Sequence, residues 1–278
     1  MDYKSDFLSK SPSPTSSVSS FNLSTRNNSM PFPATQRDCM SAATKRYKYL
    51  RRIFKFNQMD FEFALWQMLY LFIAPQKVYR NFHYRKQTKS QFARDDPAFL
   101  VLFAACLCLT SIGFAVILRL SFLQFVHFLF YVVFFDCIGL GIIFATFFWF
   151  ILNKYFRIDE NSDDVEWGYS FDVHLNAFFP PLVLLHFFQL LFYNGLINHE
   201  WFISRFLGNT FWLVAALYYM YITFLGYSSL YVLKKTHLIL SPIPLFLIMW
   251  VLSLMGGLNI THALVTFIRG ELFEILSA

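Results

Sequence analysis

The sequence predicts an all-α fold, a polytopic membrane helix bundle with five transmembrane helices and one interfacial or half-inserted amphipathic helix. Three observations predict it. Five apolar runs approach or exceed the ~20 residues that carry a helix across a bilayer. Of the 278 residues, 56% are hydrophobic, 21% aromatic and only 14% charged, against about 25% charged in soluble domains. Lysine and arginine also fall unevenly on the two sides of these runs, the asymmetry that orients spanning helices.

Taken in order, residues 1–36 are rich in Ser, Thr, Pro and Asn. They have too little apolar surface to offset the entropy of ordering, so a disordered tail is expected. Residues 37–97 form a basic segment, with Lys45, Arg46, Lys48, Arg51, Arg52 and Lys55 interleaved with Tyr47, Tyr49, Phe54 and Phe56. Such a strip suits an anionic membrane surface, RNA with aromatic stacking platforms, or simply a solvated topogenic charge cluster. Within it, residues 61–74 are apolar apart from Glu62 and Gln67, and Pro75 stops them. Fourteen residues span ~21 Å as a helix, short of the ~30 Å hydrocarbon core. This is the expected interfacial or half-inserted helix, with Phe61, Leu65, Trp66, Leu69 and Phe72 as its apolar anchors. Basic residues then resume, among them Arg80, Arg85 and Lys86.

The five-span domain is predicted over 98–258, with spans at 98–118, 125–152, 175–193, 207–226 and 238–258, followed by a short tail at 259–278. The second run exceeds what a bilayer needs and should tilt or protrude. No secretory signal opens the chain, so the first span is expected to target it.

Residues 37–94 hold thirteen Lys or Arg; Lys154, Arg157, Lys234 and Lys235 fall on the same side, and Arg119, Arg205 and Arg269 on the other. This predicts a cytosolic amino terminus and a lumenal carboxyl terminus. The sequons at Asn22 and Asn27 would be cytosolic. That at Asn259 would be lumenal but too close to the membrane to be used.

Few residues suggest chemistry. Asp136 lies near the middle of the second span. A carboxylate there costs about 2.5–3.5 kcal/mol on insertion scales, so it should face the bundle and have a partner. His127 and His186 are buried polar candidates for that partner, with Gln189, Asn209 and Tyr218 further options on depth alone. A proton or ion relay and a packing hydrogen bond are both open readings of Asp136. Gly139 and Gly141 suggest close helix approach. The connection after the second span is acidic, with Asp163, Asp164, Glu166 and Asp172, suited to a basic partner or to the chain's own basic segment. Asp172 and His174 could supply two ligands of a metal, but no complete metal-ligand or catalytic spacing is present, and no cofactor is expected. Cys106 and Cys108 point to different faces of a helix and read as packing residues.

The strings Lys45–Arg52, Gln58–Phe63, Trp66–Tyr70, Val78–Thr88 and Ala93–Leu100, with Asp164–Tyr169 and Phe171–Phe178, resemble the Unc-fifty (uncoordinated-fifty) family of Golgi membrane proteins. Gly208-Asn209-Thr210 and Thr223–Tyr227 also fit. The resemblance covers roughly residues 43 to 268 and leaves out the Ser-rich tail. It implies a five-span Golgi protein in vesicular traffic, linked to surface delivery of nicotinic acetylcholine receptors. Fungal relatives are linked to large Arf guanine-nucleotide exchange factors, and RNA binding is also attributed to the family. No catalytic residue comes with the resemblance, so no enzyme is expected.

The reading is therefore a trafficking factor that scaffolds Arf-exchange machinery and serves receptor cargo. Its expected place is the Golgi membrane, with the endoplasmic reticulum or nuclear membrane as further locations. A transporter or lipid-moving protein using Asp136, and a membrane-tethered RNA binder, are the rival readings.

Overall fold

Asp60 opens the first helix by accepting the Phe63 amide at 2.9 Å, a side-chain N-cap. Helix α1 runs Phe61–Ile73. Pro75 lacks the N–H that would continue it, and residues 75–80 form a new helical segment. The computed structural model describes residues 55–80, 96–159 and 164–277, without the side chains of Gln58, Asp136, Arg269 and residues 271–277. The Ser-rich tail, Lys45, Arg46, Lys48, Arg51, Arg52, Arg85, Lys86 and Asp163 lie outside the described residues.

Five long helices follow: α2 (Ala98–Leu118), α3 (Phe122–Phe156), α4 (Trp167–Ile197), α5 (Phe202–Ser228) and α6 (Thr236–Met255). The shortest has 20 residues, which reaches ~30 Å at 1.5 Å per residue, so each is long and apolar enough to cross a bilayer. The chain is a multi-pass membrane protein. A last helix, α7 (Ile260–Ser277), occupies what the sequence presents as a tail. No β-strand occurs among the described residues; one isolated antiparallel bridge joins Arg157 to Leu233.

α2 ends in paired backbone bonds, Arg119 N–H to the Val116 carbonyl and Leu120 N–H to that of Ala115, a Schellman termination. Ser121 and Gln124 then cap α3 reciprocally. α3 has 35 residues, longer than the core of a bilayer requires. Its residues Val132–Gly139, which include Asp136, are π-helical. Such turns widen a helix locally.

α4 is the hub, packed on α5, α3 and α1, while α5 packs on α6. It begins at Trp167, eight positions ahead of the expected start at Leu175. The reason is chemical. Residues 169–177 interleave Tyr169, Ser170, Asp172, His174 and Asn176 with apolar residues, so no apolar run is visible there. All five are buried against other helices and need no lipid contact. Pro180 and Pro181 sit inside α4; lacking N–H groups, they leave the carbonyls four residues earlier without helical partners, and the helix widens into π turns at Val183–Phe188.

Two glycines set how closely helices meet. A Cβ on Gly141 would lie 3.1 Å from Phe171 and 3.3 Å from His174, so α3 meets α4 there. A Cβ on Gly139 would meet only its own helix, the Phe134 carbonyl. A Cβ on Gly226 would come within 2.9 Å of both Val173 methyls and within 3.2 Å of Tyr79.

Candidate functional site

The two ends of the bundle differ in chemistry. At one end α3 and α5 finish and α2, α4 and α6 begin, and residues 157–159 and 164–166 lie beside 229–235. Lys55, Lys77, Arg80, Lys154, Lys234 and Lys235 are exposed at or near this end. So are Asp60, Asp159 and Asp164, while Glu166 is partly buried.

The connections are held from below and from within. Leu152, Val165, Tyr169, Val173, Tyr227, Leu230 and Val232 make a buried apolar cluster beneath them. Asn153 grips Val165 in both directions, donating to its carbonyl at 3.0 Å and accepting from its amide at 2.8 Å. The Ile158 amide donates to the Val232 carbonyl at 3.0 Å, and the Lys234 amide to that of Phe156 at 2.7 Å. Arg157 pairs with Asp164 at 2.8 Å. Lys154 places its ammonium 5.3 Å from the centroids of both Phe150 and Tyr155, within cation–π range. Lys235 holds a left-handed backbone, φ 54°, an unfavourable conformation for a residue with a Cβ. The described residues of these connections thus form a cross-bridged surface of mixed charge.

The acidic residues expected on one loop separate. Asp164 and Glu166 precede α4, with Asp164 in the ion pair. Asp172 is inside α4 and 7% exposed, so it is a bundle residue and not a loop surface. Five residues past the helix start, it lies under the neighbouring helices. His174, two residues on, bonds through Nδ1 to the Tyr219 hydroxyl at 2.9 Å and stacks on Phe144 and Phe178. Among the described residues, no group of three His, Cys, Asp or Glu is arranged to hold a metal.

The candidates for partnering Asp136 do not converge. The Asp136 side chain lies outside the described residues. His127 is exposed on α3, five residues past the helix start, and so does not face the bundle interior. His186 packs edge-on to Phe114 with ring centroids 5.2 Å apart. Tyr218 donates to the Leu71 and Phe72 carbonyls, each at 3.0 Å, capping the end of α1. Gln189 donates to Thr261, and Asn209 to Ser253 at 2.9 Å and to the Leu258 carbonyl at 2.8 Å. These last two join α4, α5 and α6 to α7 at the other end.

Sequence reasoning did not foresee the buried hydrogen bond from Gln67 to Asn176, 2.8 Å long, between α1 and α4. Its signal was available: Gln67 interrupts an apolar helix and, with Ala64, Met68 and Leu71, falls on one face at helical spacing. Of the anchors assigned to this helix, Leu65 and Leu69 are exposed while Phe61, Trp66 and Phe72 are partly buried.

The sequence profile of the UNC-50 family matches residues 49–269. A protein of Drosophila melanogaster, named Protein unc-50 homolog, is 61% identical over 266 residues, covering 95% of this chain and 96% of its own. Protein unc-50 homolog A of Xenopus laevis is 59% identical over 82% of this chain and 89% of its own. The human Protein unc-50 homolog is 57% identical over the same shares. No solved structure matches the chain significantly.

Proposed function

The chain belongs to the UNC-50 family, and from that premise we propose that it is a Golgi membrane trafficking factor supporting cell-surface delivery of receptors, which scaffolds Arf-exchange-factor machinery on its cytosolic face. The amino terminus is cytosolic and the carboxyl terminus lumenal. The end bearing Lys154, Arg157, Lys234 and Lys235 then faces the cytosol, together with the basic strip from Lys45 to Lys55.

The observation that supports this reading is the cross-bridged charged surface built from residues 157–159, 164–166 and 229–235. Short connections at a membrane surface need no such ordering for topology alone. Cross-bridged backbone over a buried apolar cluster presents charges in one geometry, which lowers the ordering cost of binding a folded partner.

The transport reading needs a polar route through the bundle. His127 faces away from the interior, and Gln189, Asn209 and Tyr218 are committed to joining helices. The RNA reading rests on the strip from Lys45 to Arg52, which lies outside the described residues. Neither gains an observation that favours it over the scaffold.

The test reverses the exposed charges, Lys154→Glu, Lys234→Glu and Lys235→Glu together, in cells lacking the endogenous protein. Exposed charge pairs are each worth roughly 0.2–1 kcal/mol, so recruitment of the exchange factor to Golgi membranes should fall about tenfold. Receptor surface density should fall with it, while the variant's own level and location hold. Undiminished recruitment would overturn the scaffold reading.

A further inference from the structure

α1 is apolar on both of its sides. Ala64, Gln67, Met68 and Leu71 pack on the bundle, whereas Leu65, Leu69 and Ile73 form an exposed stripe, 55%, 57% and 68% accessible. A helix lying in the plane of a membrane surface keeps a polar face toward water. α1 has none: Glu62 is in its first turn and Gln67 is buried against Asn176.

Its contacts order it by depth. The Asp60 amide donates to Asp96 at 2.8 Å, fixing the start of α1 at the foot of α2. Gln67 meets Asn176, ~14 Å along α4 from Trp167, and Phe72 packs edge-on to Phe179, ~18 Å along it. Tyr218, which caps the Leu71 and Phe72 carbonyls, is ~15 Å from the Ser228 end of α5. Beyond Pro75 the order reverses. Gln76 donates to the Tyr221 hydroxyl, ~10 Å from that end. Tyr79 flanks Gly226, ~3 Å from it. The chain goes in, turns at Ala74–Pro75 and comes back to the end it left.

The turn is protected as hydrocarbon requires. Non-helical backbone at membrane depth persists only where protein covers it, and the Tyr218 hydroxyl faces both terminal carbonyls of α1. The outer stripe is continuous with the lipid-facing surface of the spans. α2 buries Phe99, Phe103, Leu107 and Ser111 on one face and exposes Leu109, Ile112 and Val116 on another, with α1 against its first turns.

We infer that residues 61–80 form a re-entrant helical hairpin that enters one leaflet and leaves by the same face, with Leu65, Leu69 and Ile73 covered by that leaflet's acyl chains. Naming that leaflet cytosolic rests on the orientation proposed above; the hairpin itself does not.

The experiment uses the full chain with Cys39, Cys106, Cys108 and Cys137 changed to serine, reconstituted in phosphatidylcholine vesicles. Single cysteines replace Lys55, Leu65, Leu69, Ile73 or Arg80 and carry an environment-sensitive fluorophore. Phospholipids brominated near the headgroup or far down the chain report depth by quenching. Ile73 should read deeper than Leu65, by at most ~12 Å, with Leu69 between. Lys55→Cys and Arg80→Cys should react with a membrane-impermeant maleimide from the same side. Equal depths for the three would mean a surface-parallel helix and overturn the hairpin. Absence of quenching at all three would mean that protein, such as a second copy, covers the stripe, and would overturn the lipid assignment. Labelling of Lys55→Cys and Arg80→Cys from opposite sides would make the segment a sixth crossing. The expected depth order, with both ends on the side shown to be lumenal in cells, would retain the hairpin and refute the cytosolic assignment.

Discussion

Arg119 ends α2 with φ 54°, in the left-handed region where a Cβ crowds the following carbonyl. The Schellman bonds through Arg119 and Leu120 hold it there. Glycine at this position removes a steric cost of roughly 1–2 kcal/mol but adds unfolded-state entropy of roughly 0.5–1 kcal/mol. Arg119→Gly should therefore stabilise the protein by about 0.5–1 kcal/mol, read as slower unfolding in mixed micelles containing dodecyl sulfate. Topology should not change, because Arg119 is one of few basic residues on the side proposed as lumenal, and its loss only widens the charge asymmetry. The sequence carries no sign of this conformation: arginine is an ordinary helix residue, and its backbone is set by where the apolar run stops.

Between elements, the approach of α4 to α5 at Gly226 leaves no room for a Cβ, because Val173 fills the space it would take. The Tyr169 hydroxyl donates to the Gly226 carbonyl at 2.7 Å, so the helices cannot slide apart to make room without losing that bond. Gly226→Ala should destabilise by about 1–3 kcal/mol, the usual cost of overpacking. Val173→Ala on the Gly226→Ala background should recover part of that loss, although Val173→Ala alone destabilises. A double-mutant cycle in detergent reads the coupling; additive losses would show that the helices do not meet there. The least legible boundary belongs to the span most enclosed by other helices. α2, which exposes Leu109, Ile112 and Val116, begins and ends where its apolar run does. α4 began earlier than its apolar run, since a span enclosed by other helices can carry Tyr169, Asp172, His174 and Asn176 at no lipid cost. The pairing of Gln67 with Asn176 belongs to the same class: hydropathy weighs each residue alone and cannot show which polar groups answer one another.

For the molecule as a whole, the two ends are closed by different means, and the sequence showed one of them. Charge placement marked the end with Lys154, Arg157, Lys234 and Lys235, because single charged side chains are visible one at a time. The other end is closed mostly by neutral side chains on four helices, a pattern without a one-dimensional signature, with Arg205 donating to the Gly257 carbonyl at 3.3 Å. Asn209 accepts the Ile260 amide at 2.9 Å, the first of α7, while donating to Ser253 and to the Leu258 carbonyl. Asn259 donates to the Ile197 carbonyl at 2.9 Å and accepts from the His262 amide at 3.1 Å. The sequon asparagine is thus a helix cap with its amide engaged. Gln189 reaches Thr261, and Val265 packs on Leu118, Tyr193 and Ile197. α7 is thereby fastened across the ends of α2, α4 and α5. Because Asn209 is 1% exposed, water cannot replace what it gives up. Asn209→Ala removes one accepted and two donated bonds and leaves buried groups unpaired, at roughly 1–3 kcal/mol for such a group. Asn209→Asp keeps the cap to Ile260 and loses the donations. The expected order of unfolding midpoints in detergent is wild type, then Asn209→Asp, then Asn209→Ala. Protease cleavage near Gly257 should appear first in the alanine variant, since freeing that turn releases α7 before the spans separate. Equal midpoints for all three chains would mean that α7 is held by its apolar face alone.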